Sequence, residues 1–229
     1  MAEFVVLHAA DVNLVAVPDA IDLATSASLG CRYATAFRAV VQVGAVRPGE
    51  WVAVHGCGGV GLSAVQIAAA AGARVVAVDV SAAALELARS TGAEVVILAE
   101  ADGSTDVPAA VTEATGGGAH LSLDALGAAV TCTSSVLCLR PRGRHVQVGL
   151  LIAALGRPAV PWDIVIGREL QLLGSHGMAA HSYPALLDLM VAGRLDPGVL
   201  VTRHLTLDDA PAALADVGAQ PGIAVVTAF

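Results

Sequence analysis

"HGCGGVGLSAVQIAAAAGARVVAVD", residues 55–79, places four glycines within the six positions from Gly56 to Gly61 and then runs into an alanine-rich helical pattern. Glycine accounts for 24 of 229 residues, so pairs at short spacing arise by chance and the pattern has to be read with its neighbours. Ahead of it stands "WVAVHG", an apolar run of strand length; behind it lie a helical pattern over 60–71 and a second apolar run over 74–79. Gly56, Gly58 and Gly61 therefore stand in G-x-G-x-x-G register between a strand and a helix, and Asp79 closes the next strand about 20 residues on.

Each of these positions has a physical task. Gly56 permits a tight turn, Gly58 lets backbone approach a pyrophosphate with no side chain in the way, and Gly61 allows close packing of helix on strand. Gly59 and Val60 open the helix, whose first N–H groups and positive dipole end face the phosphates. Asp79 can accept hydrogen bonds from both ribose hydroxyls, and its charge repels a 2′-phosphate. The pattern points to NAD rather than NADP. Ala84, on the following helix, brings no basic group to the ribose.

Outward from this unit, strands and helices alternate. Strands are expected at 51–55, 74–79, 94–98, 120–126, 144–150 and 169–175, and helices at 60–71, 82–90, 107–115 and 128–139. Ser81 is placed to cap the second helix and Gly92 to end it. The strands are apolar on both faces, as a covered parallel sheet requires. The fold expected is α/β, a Rossmann-type doubly wound parallel sheet of six strands built from two mononucleotide-binding halves. Residues 3–17 read as two short extended pieces around an Asp-Val-Asn turn, and 20–43 as a helix interrupted near Gly30. The tail reads as helices over 183–192 and 208–216, a "RLDPG" turn and a closing strand "IAVVTAF".

Composition narrows the function classes. Twelve basic residues against twenty acidic ones give a net charge of −8 without a cluster of Lys or Arg, which argues against a nucleic-acid partner. No stretch of about 18 apolar residues is free of charge, and the N-terminus shows no basic region followed by an apolar core, so neither a membrane span nor a secretory signal is expected. A soluble cytoplasmic protein is the expectation. The four cysteines, Cys31, Cys57, Cys132 and Cys138, contain no CxxC pair, which disfavours a disulfide framework.

Several stretches extend the reading: "LGCRYATAF" (29–37), "VRPGEWVAVHGCGGVGLSAVQIA" (46–68), "VVAVDVS" (75–81), "LDALG" (123–127), "GRHVQVGL" (143–150), "LLGSHG" (172–177) and the tail "AGRLDPGVLVTRHLTLDDAPAAL". In this order they resemble the zinc-dependent alcohol dehydrogenases of the medium-chain dehydrogenase/reductase superfamily, across essentially the whole sequence. The resemblance implies three parts: residues 1–29 as the remnant of a GroES-like catalytic domain, 30–178 as the NAD-binding domain, and 179–229 as the return to the catalytic domain. Most of the GroES-like domain has no counterpart in this sequence.

The resemblance also implies an activity, the interconversion of small alcohols with aldehydes or ketones by zinc-assisted hydride transfer to NAD, in a homo-oligomer (dimer or tetramer). The family holds its catalytic zinc with a Cys, a His and a second Cys, and only the last has a counterpart here, Cys31. A catalytic zinc takes three protein ligands, so Cys31 would need partners from outside this sequence. A truncated NAD-binding module without activity, and a zinc-independent relative of the quinone reductases, remain as alternatives.

Other positions carry two readings each. Cys31 is either a buried small residue or a metal ligand, and the resemblance favours the ligand. Cys57 contributes its backbone N–H, and Cys132 and Cys138 are expected in the core. His55 either packs at a strand end or approaches the cofactor. Asp124 is either a capping carboxylate or a ligand contact at the carboxyl edge of the sheet. Ala125, Leu126, Gly149 and Leu150 occupy the neighbouring strand ends, where their backbone could line adenine or nicotinamide. Ala224 stands where some relatives have an arginine that reaches the pyrophosphate. The apolar segment "GLLIAALGRPAVPW" (149–162) is a candidate oligomer surface.

Overall fold

The computed structural model describes residues 4–152, 158–216 and 220–228. The chain opens on a single helical turn, α1 (Ala10–Asn13), and then on α2 (Leu23–Ser28), whose first amides are met by Asp22: its carboxylate accepts from the Thr25 amide at 2.9 Å. The expected Asp-Val-Asn turn closes as the helical turn α1, with the Asn13 side-chain amide donating back to the Ala9 carbonyl at 3.2 Å and the chain extended again at Leu14; no strand forms on either side among the described residues. Beyond α2 the helical path does not break at Gly30. It widens into a π turn (Leu29–Tyr33), tightens through α3 (Ala34–Phe37), and widens again over Arg38–Val43.

The alternating part then follows in order: β1 (Trp51–His55), α4 (Gly59–Ala70), β2 (Arg74–Asp79), α5 (Ala82–Ser90), β3 (Val95–Leu98), α6 (Val107–Thr115), β4 (Ala119–Asp124), α7 (Ala129–Leu137), β5 (Leu139–Gln147), α8 (Trp162–Gly167) and β6 (Gln171–Gly174). The six strands form one sheet in the order β3-β2-β1-β4-β5-β6, every pair parallel. Strand order reverses between β1 and β4, and that crevice at the carboxyl ends is where such sheets bind ligands.

Both faces are buried by alternation along each strand. Val52, Val54, Val75, Ala77, Leu121 and Leu123 pack to one side with α4, α5 and the 29–43 helical path. Trp51, Ala53, Val76 and Val78 pack to the other with residues of α6, α7 and α8. At about 25 cal/mol per Å² of apolar surface removed from water, these two layers supply the main favourable term for the fold.

Several boundaries differ from the sequence expectation, those of β5 the most. β5 begins at Leu139 and ends at Gln147, not at 144 and 150; its first half, with Pro141, lies beside a register shift opposite Ala119 and Leu121, where a residue without an N–H costs the ladder little. α8, on the segment before β6, was not anticipated. The tail carries α9 (Tyr183–Val191), β7 (Val201–Thr206), α10 (Ala210–Ala215) and β8 (Ile223–Ala228). β7 is also additional: it pairs in parallel with β8, with Arg203 opposite Ala224. Its polar residues conceal it, yet Val201, Arg203 and Leu205 alternate with exposed Thr202, His204 and Thr206.

Candidate functional site

The glycine turn sits where β1 gives way to α4. Gly56 has φ 90°, a left-handed conformation open to glycine, and its amide donates to the Val78 carbonyl at 2.8 Å, which ties the turn to β2. A Cβ on Gly61 would overlap the Gly56 carbonyl, so this glycine lets α4 start directly against the turn. Around Gly58 no atom lies within 4 Å of where a Cβ would stand. No side chain caps α4, and the first intrahelical bond runs from the Leu62 amide to the Gly58 carbonyl at 2.9 Å. The amides of Gly59, Val60 and Gly61 thus precede the helical ladder and have no acceptor within α4.

Asp79 ends β2 beside this turn. Its Oδ2 accepts from the Cys57 amide at 2.6 Å and its Oδ1 from the Ser81 amide at 2.8 Å. A carboxylate has about four lone-pair sites, so acceptor capacity remains for two hydroxyls. Ser81 caps α5 as the sequence implied, accepting from the Ala84 amide at 3.3 Å. The Cys57 amide was expected to serve a ligand. The structure gives it to Asp79, while the buried thiol is pushed up to about 12 by burial and by the Asp79 charge and stays protonated.

These residues open onto one cavity of about 820 Å³, a size typical of small-molecule and cofactor sites. Gly56, Gly58, Gly59, Asp79 and Leu126 line it. Ala99, Glu100 and Thr105 continue the wall past Asp79, and Arg203, Leu205, Ala224 and Val226 of the β7–β8 ladder close another side. Val60, Gly61, Ala125, Gly149 and Leu150 do not reach this wall. The Ala125 amide donates to the His55 carbonyl at 2.9 Å, Gly149 packs on the Leu126–Gly127 backbone, and Leu150 is 69% exposed.

Under the carboxyl edge lies a buried polar layer that the sequence only half revealed. Asp124 is fully buried and accepts from the amides of Leu126 and Gly127 and from Thr131 Oγ1, each at 3.0 Å, and from Gln147 Nε2 at 2.8 Å. It neither caps α7, whose N-cap is Ala128, nor lines the cavity: it ties the turn after β4 to Thr131 and Gln147. His55 is buried at the end of β1, with Nε2 at 3.6 Å from Cys138 Sγ; burial pulls its pKa down to about 4, the Asp124 charge opposing and His145 assisting. His145 is buried also, its Nδ1 at 2.9 Å from Ser135 Oγ, and burial lowers its pKa. Cys132 and Cys138 are in the core, and burial raises both thiols, Cys138 to about 12.

Comparison with known proteins places this geometry. Residues 59–192 match the family described as "Zinc-binding dehydrogenase". The chain belongs to that family.

The chain is similar over most of its length to named relatives. It is 35% identical to a geraniol dehydrogenase of Castellaniella defragrans over 86% of this chain and 53% of that protein. It is 30% identical to an alcohol dehydrogenase class-2 isozyme of Oryctolagus cuniculus over 86% of this chain and 52% of the relative. Among solved structures, an alcohol dehydrogenase from Thermus sp. ATN1 superposes with a TM-score of 0.82 at 31% identity, covering 96% of this chain and 63% of that one. The chain spans about half the length of the curated relatives it matches.

The metal expectation meets a plain limit. Cys31 lies exposed on the wide turn before α3, and no group of three or more His, Cys, Asp or Glu residues among the described residues could hold a metal ion. A zinc site of family type therefore does not assemble from the described residues alone. Among them, no helix is long and apolar enough to cross a membrane.

Proposed function

We propose that the chain is the nucleotide-binding part of an NAD-dependent dehydrogenase acting on small alcohols and the corresponding aldehydes or ketones. One observation carries the reading: the glycine turn, the uncapped start of α4 and Asp79 all face the same 820 Å³ cavity. The cavity suits the group, with open space at Gly58 where a diphosphate needs backbone access and a carboxylate at the end of β2 for the ribose.

Bound NAD would supply the hydride acceptor for the carbinol carbon. The residues of this chain bind and orient. The Gly58–Gly59 backbone, which lines the cavity, would hold phosphate oxygens with the Val60 and Gly61 amides behind it at the start of α4, Asp79 would accept from the ribose, and Leu126 with Val130 would line the wall beside the ring. Behind that wall, the Ala125 amide donates to the His55 carbonyl and the Gly149 and Leu150 backbone packs on Leu126 and Gly127. We assign residues 30–178 to this nucleotide-binding unit, with 1–29 and 179–229 belonging to a catalytic unit; the separate β7–β8 ladder supports the second boundary. Cys31 is proposed as one zinc ligand, whose partner ligands would come from outside the described residues.

The test is calorimetry with NAD and NADP followed by an alcohol-dependent NADH absorbance assay with zinc analysis. NAD binding at least tenfold tighter than NADP is expected, and Gly58→Asp should abolish it. Absence of NAD binding by the folded chain would overturn the reading. A second reading, binding without turnover by this chain alone, is favoured by the lack of further metal ligands around Cys31 among the described residues, and turnover with bound zinc would exclude it. We further propose a homo-oligomer through the open edge of β6 and its flanking Leu150, Ile152, Trp162 and Ile166, all exposed. Of the candidate segment 149–162, residues 153–157 lie outside the described residues. Light scattering reporting a monomer would remove that proposal.

A further inference from the structure

Ala224 brings no charge to the cavity, yet the wall around it is not neutral. On the neighbouring strand, Arg203 is the register partner of Ala224, and both line the cavity together with Leu205 and Val226, the period-two set of one face of the β7–β8 ladder. Arg203 Nε is buried and has no hydrogen-bond partner among the described residues. A buried donor without an acceptor costs about 1–3 kcal/mol, and more when it is charged. Such a group marks a place where an acceptor belongs.

A second guanidinium enters the same cavity. Arg32, on the wide turn after α2, lies with its Cδ and Nε against Gly59, so closely that a Cβ there would overlap it. It makes no ion pair among the described residues. α2 packs on both β7 and β8, which brings the segment carrying Arg32 up to the ladder carrying Arg203. In a chain of net charge −8, two arginines converge on the cavity that holds the uncapped start of α4.

We infer that Arg32 and Arg203 form a two-guanidinium clamp on the diphosphate of the bound dinucleotide, with Arg203 reaching from β7 over the gap left by Ala224. The inference rests on the dinucleotide reading proposed above and assigns to it two residues the glycine motif does not contain. Guanidinium presents N–H donors in a planar fork that matches phosphate oxygens, and the buried Nε of Arg203 gains its missing acceptor only when the anion is present. The clamp also separates charge along the cavity, with arginines serving the diphosphate and Asp79 serving the ribose.

The test titrates the full chain and its Arg32→Gln, Arg203→Met and Arg203→Lys variants with NAD, ADP-ribose and adenosine, with thermal melts of each protein without ligand. Arg32→Gln and Arg203→Met should each weaken NAD and ADP-ribose by roughly tenfold or more and flatten the salt dependence of binding, while adenosine affinity is unchanged. Arg203→Lys should recover part of the loss. Without ligand, Arg203→Met should melt no lower than the parent, because it removes an orphaned buried donor. If the parent binds NAD and the Arg32→Gln and Arg203→Met variants bind it equally well, or lose adenosine to the same extent, the clamp is overturned and the dinucleotide reading stands. If the parent binds neither NAD nor ADP-ribose, both fall.

Discussion

The Cys57 amide donates to Asp79 Oδ2 at 2.6 Å, so the glycine turn after β1 is tied to the acid that ends β2 before any ligand arrives. The same carboxylate accepts from Ser81 at 2.8 Å, which also fixes the start of α5. Asp79→Ala should therefore do two separable things: lower the stability of the ligand-free chain by about 1–3 kcal/mol, and abolish the preference for NAD over NADP. Denaturant unfolding checks the first and paired titrations the second. Loss of NAD binding with unchanged stability would show that the tie to Cys57 contributes nothing.

Two glycines three residues apart should respond in opposite ways. A Cβ at Gly61 meets the Gly56 carbonyl, which is backbone and cannot yield cheaply, so Gly61→Ala should cost about 3 kcal/mol of stability. At Gly58 nothing lies within 4 Å and φ is −75°, so Gly58→Ala should change stability by less than about 0.5 kcal/mol yet weaken dinucleotide binding, because the methyl occupies ligand space. Thermal melts set beside NAD titrations decide it; equal loss of stability in the two variants would contradict the assignment.

The buried histidines give the fold a pH dependence of definite sign. His55 is held near 4 in the folded chain against 6.5 when unfolded, so above pH 6.5 both states are neutral and the full stability is present. As pH falls from 6.5 towards 4, the unfolded chain takes up a proton that the folded chain refuses. Stability should drop across that window by roughly 3 kcal/mol from His55, with His145 acting in the same direction. Urea midpoints measured between pH 8 and pH 4 report the slope, and His55→Gln should remove part of it. A flat profile over this range would rule out burial of neutral imidazole.

Much of this was legible in the sequence because it repeats at a fixed period. The apolar runs at 51–55 and 74–79, the helix between them and the closing acid are local signals, and each lies where the chain places it. β7 escaped because its meaning is not local: Thr202, Arg203 and His204 look like a polar loop until β8 pairs with them. For the same reason Arg32 and Arg203 carried no signal, since what marks them is a shared cavity between segments far apart in sequence. The wide turns at Leu29–Tyr33 and Arg38–Val43 were not anticipated, because which carbonyl an amide reaches, one residue further back than in an α-helix, is not written in residue type.

Asp124 offers the sharpest separation between a structural and a ligand-binding carboxylate. Its Oδ1 accepts from Leu126, Gly127 and Thr131 and its Oδ2 from Gln147, so one buried side chain holds the turn after β4, the start of α7 and the end of β5 together. Asp124→Ala would leave these donors buried without an acceptor and should cost roughly 3 kcal/mol or more, enough to unfold much of the population of a marginal domain. Asp124→Asn keeps Oδ1 and its three donors but turns an NH₂ group towards the Gln147 amide. That amide can rotate to present its oxygen, at the cost of its 2.8 Å bond to the Gly149 carbonyl. Asn should therefore fold, with a loss of about 1 kcal/mol, and should retain NAD affinity because the carboxylate faces the protein interior rather than the cavity. Chemical denaturation combined with NAD titration of the Asn variant tests this: a large fall in affinity in a stably folded variant would return Asp124 to the ligand.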